Sequence, residues 1–174
     1  RDMTAKAAGI CLIVLSSFGL GLIKSVELQK RYRLLKEWEK IVLLLEQEIS
    51  CHIPLPEAYH RVGDRVCDPF KPFLESLSKQ LDAHGGKSFR EIFTQEGKRC
   101  LAGGCLTGED LRQICALGDL VGFADRKTQK NLLDRYRKEQ EIRLAQLREQ
   151  LPAKQKLYRS LGILGGAFLV ILLL

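Results

Sequence analysis

The sequence lacks the residue spacings that usually mark catalytic or metal-binding sites. Its 174 residues include six cysteines but no CxxC pair, three histidines but no HxxxH pair, and no Walker-type phosphate loop. A zinc knuckle, a metalloprotease helix and a P-loop nucleotide site are therefore not indicated. The cysteines are interpreted as structural thiols. We expect no catalytic residue, no metal ligand, no cofactor and no enzymatic activity.

The sequence also lacks the alternation of apolar and polar residues that is typical of a half-buried strand, and β-branched residues are scarce. Apolar residues recur instead at spacings of three and four, which indicates helices. The predicted fold class is all-α. We expect a membrane-anchored helical bundle in which two long antiparallel helices form a stalk and shorter helices cap it.

Charge is absent from a segment near the start of the chain. Seventeen residues from Ala7 to Ile23 are uncharged, and at about 1.5 Å per residue they approach the roughly 30 Å of a bilayer core. This predicts a transmembrane helix at residues 7–23. A cleaved signal peptide is the alternative, with Lys6 before the apolar stretch and a cleavage site at Ser17-Phe18-Gly19.

A second uncharged segment runs from Leu161 to Leu174 and is extended by Leu157 and Tyr158. Residues 157–174 are therefore predicted to form a C-terminal transmembrane helix or membrane anchor. A buried core helix is the alternative, because an apolar segment of this length also fits one. Residues 24–156 then form the central helical domain.

Lysine and arginine are concentrated on the central side of both apolar segments. Two of these residues precede the first segment, whereas six lie between Lys24 and Lys40 and three lie between Lys154 and Arg159. By the positive-inside rule, this asymmetry places the central domain in the cytoplasm.

Small residues recur four positions apart within both apolar segments. Gly162 and Gly166 form a GxxxG pair, and Ser17 and Gly21 have the same spacing. Because such spacing lets two helix backbones approach closely, we predict that these four residues mediate membrane-helix packing, within one chain or between chains.

The central domain is predicted to contain six helices. The first is amphipathic from Leu28 to Ile49 and continues out of the first apolar segment, and the second runs from Glu57 to about Val66. The other four are predicted from capping residues: Asp68 before Pro69 for the third, Ser88 with Glu91 for the fourth, Thr107 with Asp110 for the fifth, and Asp125 for the sixth, which has a kink at Pro152 where it enters the last apolar segment.

The basic excess is localised near the end of the chain. The formal net charge is +7, and residues 125–159 contain eleven Lys or Arg against five acids. We interpret this surface as a solvated face near anionic lipid, part of which engages an acidic partner protein. Nucleic-acid binding is the alternative, but no helix-turn-helix spacing accompanies it. The predicted lipid- or partner-binding residues are Arg126, Lys127, Lys130, Arg135, Arg137 and Lys138.

One enzymatic alternative is kept open. Cys51 with His60, or the adjacent His52, would supply a nucleophile and a base if they met in the fold. The chain would then be a membrane-tethered enzyme.

Four motifs follow one another along the chain: Glu48-Ile49, Pro54-Leu55-x-Glu57-Ala58, Leu117-Gly118-x-x-x-Gly122-x-x-Asp125-x-x-x-Gln129, and Ser160-Leu161-Gly162-x-Leu164-Gly165-Gly166. In their order and spacing, these motifs resemble the stage III sporulation protein AB family. The resemblance covers essentially the whole chain. That family is similar to the cytoplasmic domain of the type II secretion F platform proteins.

The resemblance implies a structural component, a platform or scaffold, of the secretion-type channel complex between mother cell and forespore. It implies a location in the mother-cell membrane with the central domain cytoplasmic. The implied partners are other proteins of the complex, including its ATPase and its ring-forming membrane proteins, together with membrane lipid and further copies of the chain. No nucleic acid and no catalytic residue come with the resemblance.

Overall fold

The computed structural model of the chain describes the backbone of residues 2–83, 86–121 and 126–173. Burial and side-chain contacts are described for residue 19 and, within these ranges, from residue 21 onward. The exceptions are residues 126, 127, 166, 169, 170, 172 and 173. These ranges form six helices and no strand, which confirms the all-α prediction for them. The helices are α1 (Asp2–Ser50), α2 (Leu55–Gly63), α3 (Phe70–Asp82), α4 (Phe89–Leu101), α5 (Gly108–Val121) and α6 (Arg126–Leu173).

The chain divides into two compact units, which we call the terminal unit and the bundle unit. The terminal unit comprises Arg1–Tyr32 and Ala145–Leu174, and the bundle unit comprises Arg33–Leu144. The terminal unit therefore contains the first part of α1 and the last part of α6. The bundle unit contains the rest of both helices together with α2 to α5.

The bundle unit is built on one apolar stripe of α1. Trp38, Val42, Leu45 and Ile49 recur every three or four residues and are all buried, as a helix that packs along one face requires. Aromatic side chains from the other helices meet this stripe, and the Trp38 ring lies 5.6 Å from that of Phe70. Burial of each such side chain contributes about 1.5–3 kcal/mol.

The second and third helices begin differently from the sequence prediction. The second helix starts at Leu55 rather than Glu57 and ends at Gly63 rather than near Val66. Pro54 occupies its N-cap position. Amides at a helix start have no acceptor within the helix, so proline, which has no amide hydrogen, fits there. Asp68 was expected to cap the third helix, which is wrong, since Pro69 occupies the cap position and no side chain caps it.

The predicted caps of the fourth and fifth helices are confirmed. The Glu91 amide donates to Ser88 Oγ at 3.3 Å, and the Ser88 amide donates to the Glu91 carboxylate at 3.0 Å. The Asp110 amide donates to Thr107 Oγ1 at 3.2 Å, and the Thr107 amide donates back to the Asp110 carboxylate at 2.8 Å. Each pair satisfies amides that the first helical turn leaves free.

The sixth helix continues through Pro152 to Leu173, as expected of a helix that is continuous with the last apolar segment. Proline has no amide hydrogen, so the helix lacks the hydrogen bond that a residue 152 amide would donate to the Arg148 carbonyl. The predicted cap, Asp125, lies outside the described residues.

Within the ranges that the structure describes, no helix combines the length and the apolar character that crossing a membrane requires.

Candidate functional site

The last turn of α1 ends in a Schellman motif. His52 has a φ of 66°, in the left-handed region that favours glycine. The His52 amide donates to the Ile49 carbonyl at 3.1 Å, and the Ile53 amide donates to the Glu48 carbonyl at 3.3 Å. These bonds satisfy carbonyl groups at the helix end and turn the chain toward Pro54 and α2.

The Glu48 carboxylate lies in the corner where α1 meets α2, and Glu48 is only 8% exposed. Arg65 Nη1 lies 3.5 Å from one carboxylate oxygen, and Arg61 Nη1 lies 3.7 Å from the other. Arg61 also donates a 2.5 Å hydrogen bond to Glu57 in α2. Because a carboxylate this buried is costly without cationic partners, the two arginines hold the corner together.

A chain of hydrogen bonds links α1, α6 and α5. Trp38 Nε1 donates to the Tyr136 hydroxyl at 3.0 Å, and that hydroxyl donates to the Gln113 carbonyl at 2.8 Å. Burial raises the pKa of Tyr136 far above its ordinary value, so the hydroxyl keeps its proton and remains a donor. The polar groups of Trp38 and Tyr136 are thereby both hydrogen-bonded.

A buried carboxylate joins α3 to α4. Glu96 is 2% exposed and accepts hydrogen bonds from Ser76 Oγ at 2.7 Å, Gln80 Nε2 at 2.5 Å and Arg99 Nε at 2.9 Å. Burial alone would raise the pKa of the Glu96 carboxyl, but the hydrogen bonds from Arg99, Ser76 and Gln80 hold that pKa below its ordinary value. The group is therefore ionised and fully engaged.

Two glycines allow α4 and α5 to approach closely. A Cβ atom at Gly118 would lie 2.8 Å from Phe93 Cβ and 2.8 Å from Phe93 Cγ, and one at Gly97 would lie 3.1 Å from Cys115 Sγ. The end of α5 is closed by Gln129, whose Nε2 donates to the Val121 carbonyl at 2.8 Å.

The structure pairs with acids three of the four predicted binding cations whose side chains it describes. Lys138 lies 2.8 Å from Asp134, and Arg135 lies 3.6 Å from Glu139. Lys130 is exposed, and the side chains of Arg126 and Lys127 lie outside the described residues.

Arg137 is the most enclosed of these cations, with its side chain 24% exposed. It binds Asp134 at 3.0 Å and also contacts Glu141, and its Nε lies 3.4 Å from Glu46 of α1. The last contact is an ion pair without hydrogen-bond geometry, since Nε has no hydrogen-bond partner among the described groups. This arginine therefore joins α6 to α1.

The structure places two of the four predicted packing residues together, in the terminal unit. A Cβ atom at Gly21 would lie 2.7 Å from the Tyr158 carbonyl oxygen and 3.6 Å from the Gly162 Cα atom. Ser25, one turn after Gly21, is buried as well. The side chains of Ser17 and Gly166 lie outside the described residues, and the membrane setting of this contact stays a prediction.

Comparison with known proteins decides the family. Residues 6–174 match the sequence profile of stage III sporulation protein AB. The chain belongs to the stage III sporulation protein AB family. It is similar to stage III sporulation protein AB of Bacillus subtilis (strain 168), with 24% identity over 170 residues that cover 97% of this chain and 99% of that protein.

A solved structure of a stage III sporulation protein AB has the same fold. It superimposes with a TM-score of 0.63 at 21% identity and covers 70% of this chain and 96% of its own. At this identity the likeness concerns the fold alone.

Several of the motif residues that suggested the stage III sporulation protein AB family serve packing, whereas Leu161 and Leu164 of the last motif are exposed. Ala58 and Leu117 are fully buried, Gly118 lies against Phe93, and Gln129 caps α5. Gly122 and Asp125 lie outside the described residues.

The candidate reactive residues of this family member are not brought together in the described structure. Cys51, His52 and His60 are all exposed, and no described contact joins Cys51 to His60. Burial raises the pKa of the Cys100 and Cys115 thiols, which lowers their thiolate fraction. No group of three or more His, Cys, Asp or Glu in the described part could hold a metal ion. Cys11 and His84 fall outside it.

Sequence reasoning missed the Glu96 cluster. Ile92, Phe93 and Glu96 share the buried face of α4, so an acid stands where the helical period expects an apolar residue. That mismatch was a usable signal. Its partners on α3, Ser76 and Gln80, follow only from the packing of the two helices.

Proposed function

We propose that this chain is a non-enzymatic scaffold of the channel complex between mother cell and forespore, anchored in the mother-cell membrane with its central domain in the cytoplasm. One observation carries the proposal: several motif residues of the bundle unit make structural contacts rather than present reactive groups. Gly118 makes room for Phe93, Gln129 closes α5, and Glu48 holds two arginines at the α1–α2 corner. Such residues stabilise the bundle and leave its exposed surface for binding partners.

Exposed apolar side chains in the terminal unit support membrane anchoring. In this unit, six large apolar side chains of α6 are 56–74% exposed, although water-soluble surfaces rarely carry so many on one helix segment. Leu22, Ile23 and Val26 of α1 are exposed in the same unit. Contact with lipid would remove these apolar surfaces from water, which is favourable. The α6 residues are Leu157, Leu161, Ile163, Leu164, Phe168 and Ile171.

The proposed partners are other proteins of the sporulation channel complex, including its ATPase and its ring-forming membrane proteins, and further copies of the chain. Support comes from membership of the stage III sporulation protein AB family, and the platform role rests on the resemblance of that family to secretion platform domains. The platform proteins carry duplicated domains, and self-association of a single domain would supply the same number of binding surfaces.

Membrane anchoring is tested by extracting membranes of sporulating cells with high salt and then with alkaline carbonate. Peripheral proteins are released by these washes, whereas an anchored chain stays in the pellet. Release of this chain would contradict the proposal.

The scaffold role is tested by crosslinking in sporulating cells. Photo-reactive residues are placed one at a time at Lys36, Gln47 and Arg143, which are exposed in the bundle unit. We expect adducts with another protein of the channel complex, and their loss in cells that lack that protein. Adducts with copies of this chain alone would contradict the scaffold role.

A further inference from the structure

The net positive charge of the chain is carried by the terminal unit and not by the bundle unit. Residues 33–144 contain 19 Lys or Arg against 18 acids, so their charges nearly cancel. The other 62 residues contain nine Lys or Arg against three acids. A long-range attraction for anions therefore originates in the terminal unit.

On both helices of the terminal unit, charged residues give way to apolar residues near the contact of Gly21 with Tyr158. Gly21 lies against Tyr158 and Gly162. On α1, Lys24 follows Gly21 by one turn, and on α6, Arg159 is the last charged residue of the chain. Leu22 and Ile23, just before Lys24 on α1, and Leu161, Ile163 and Leu164, just after Arg159 on α6, are apolar and exposed.

The cations at this level are mostly free of acidic partners. Lys154, Lys156 and Arg159 form no ion pair with any residue that the structure describes, and Lys156 and Arg159 are exposed. Lys24 binds Glu27 at 2.8 Å, a surface pair that contributes little. In the bundle unit, by contrast, Arg135, Arg137 and Lys138 already face acids.

We propose that Lys24, Lys154, Lys156 and Arg159 form a collar that binds the phosphate groups of anionic phospholipids. The inference deepens the proposed function and rests on its membrane anchoring. It also moves the lipid site from residues 126–138, the sequence-based expectation, to the boundary of the apolar segments. Each cation near an anionic surface strengthens binding about fivefold, so the collar selects anionic over zwitterionic headgroups.

The test compares two variants that lose the same charge. The collar variant carries Lys154→Gln, Lys156→Gln and Arg159→Gln, and the control variant carries Lys130→Gln, Arg135→Gln and Lys138→Gln. Purified full chain in neutral detergent is titrated with short-chain phosphatidylglycerol, with short-chain phosphatidylcholine and with inorganic phosphate. Because a ligand that binds the folded state raises its stability, the rise in Tm reports the affinity of each.

We expect phosphatidylglycerol to bind the unchanged chain and the control variant more tightly than phosphatidylcholine. The collar variant should lose at least about tenfold in affinity for phosphatidylglycerol, and the remaining preference should weaken with salt. Equal affinity for both lipids, an equal loss in both variants, or equally tight binding of inorganic phosphate would overturn the collar. Release by carbonate would instead overturn membrane anchoring, so failure of the inference and failure of the proposed function are separate results.

Discussion

The indole of Trp38 donates a 3.0 Å hydrogen bond to the hydroxyl of Tyr136, which lies 98 residues later in the chain. This contact joins the two longest helices inside the core of the bundle unit. Trp38 is also the only tryptophan of the chain. Its fluorescence therefore reports the unfolding of the bundle unit directly.

Replacement of Tyr136 by Phe should destabilise the fold by about 1–3 kcal/mol, because the buried indole loses its acceptor. Tyr59→Phe is the matched control. The Tyr59 hydroxyl is buried without a hydrogen-bond partner among the described groups, so its removal should leave stability unchanged or raise it. Urea unfolding of the full chain in neutral detergent, followed by Trp38 fluorescence, measures both. Equal losses of stability in the two variants would show that the hydrogen bonds of the Tyr136 hydroxyl do not stabilise the fold.

Gly118→Ala should destabilise the chain by about 1–3 kcal/mol, since the added Cβ would overlap the Phe93 side chain. Gly108→Ala, at the start of the same helix, adds a Cβ with no neighbour within 4 Å and should be close to neutral. Addition of Phe93→Leu to Gly118→Ala should recover part of the loss, and the double-mutant cycle measures this coupling. Strictly additive effects would contradict a steric origin.

The helices and caps were predictable because their determinants are local. Ser88 and Glu91 stand three residues apart, and the bonds between them follow from that spacing. The α1 stripe was likewise readable from its period. Asp68 misled because an acid before proline suits a cap, whereas in the structure the Phe70 and Lys71 amides donate to the Cys67 backbone carbonyl instead.

The candidate site was less predictable because it depends on contacts between distant residues. The cationic run around Arg137 looked available for a ligand, but acids on the same helix and Glu46 on α1 occupy it. A charge count treats all cations alike. Only the fold separates the paired cations from Lys154, Lys156 and Arg159, which have no described ion-pair partner.

Glu96→Gln should make stability less dependent on pH. The pKa of Glu96 is lowered in the folded state, so its stabilising contribution is fully present above the ordinary pKa of about 4.3 and is lost as pH falls through the lowered value. At pH 7 the variant should lose about 1–3 kcal/mol, and the difference should shrink below about pH 4. Urea unfolding from pH 3 to 8 tests this. Glu75→Gln, which alters a surface pair with Lys71, is the control and should change stability by less than about 0.5 kcal/mol.

His52→Gly should stabilise the chain by about 0.5–1 kcal/mol. Histidine at φ 66° is strained, whereas glycine adopts this region freely. Glycine also makes the unfolded chain more flexible, which offsets part of the gain in stability. His52→Val should destabilise, because a β-branched residue fits the left-handed region poorly. The urea midpoint should therefore be highest for His52→Gly, intermediate for the unchanged chain and lowest for His52→Val. Loss of sporulation in His52→Gly at unchanged abundance would instead favour a chemical role for the imidazole.

The contact of Gly21 with Tyr158 provides a test in cells. Gly21→Val would place a side chain where a Cβ atom already lies 2.7 Å from the Tyr158 carbonyl oxygen, so α1 and α6 must separate in the terminal unit. Gly19→Val is the matched control, because a Cβ there has no neighbour within 4 Å. If the proposed scaffold requires this helix contact, Gly21→Val should lower the yield of heat-resistant spores and Gly19→Val should not, with both proteins at similar levels in the membrane fraction. Normal sporulation of Gly21→Val would show that the close approach of the two helices is dispensable.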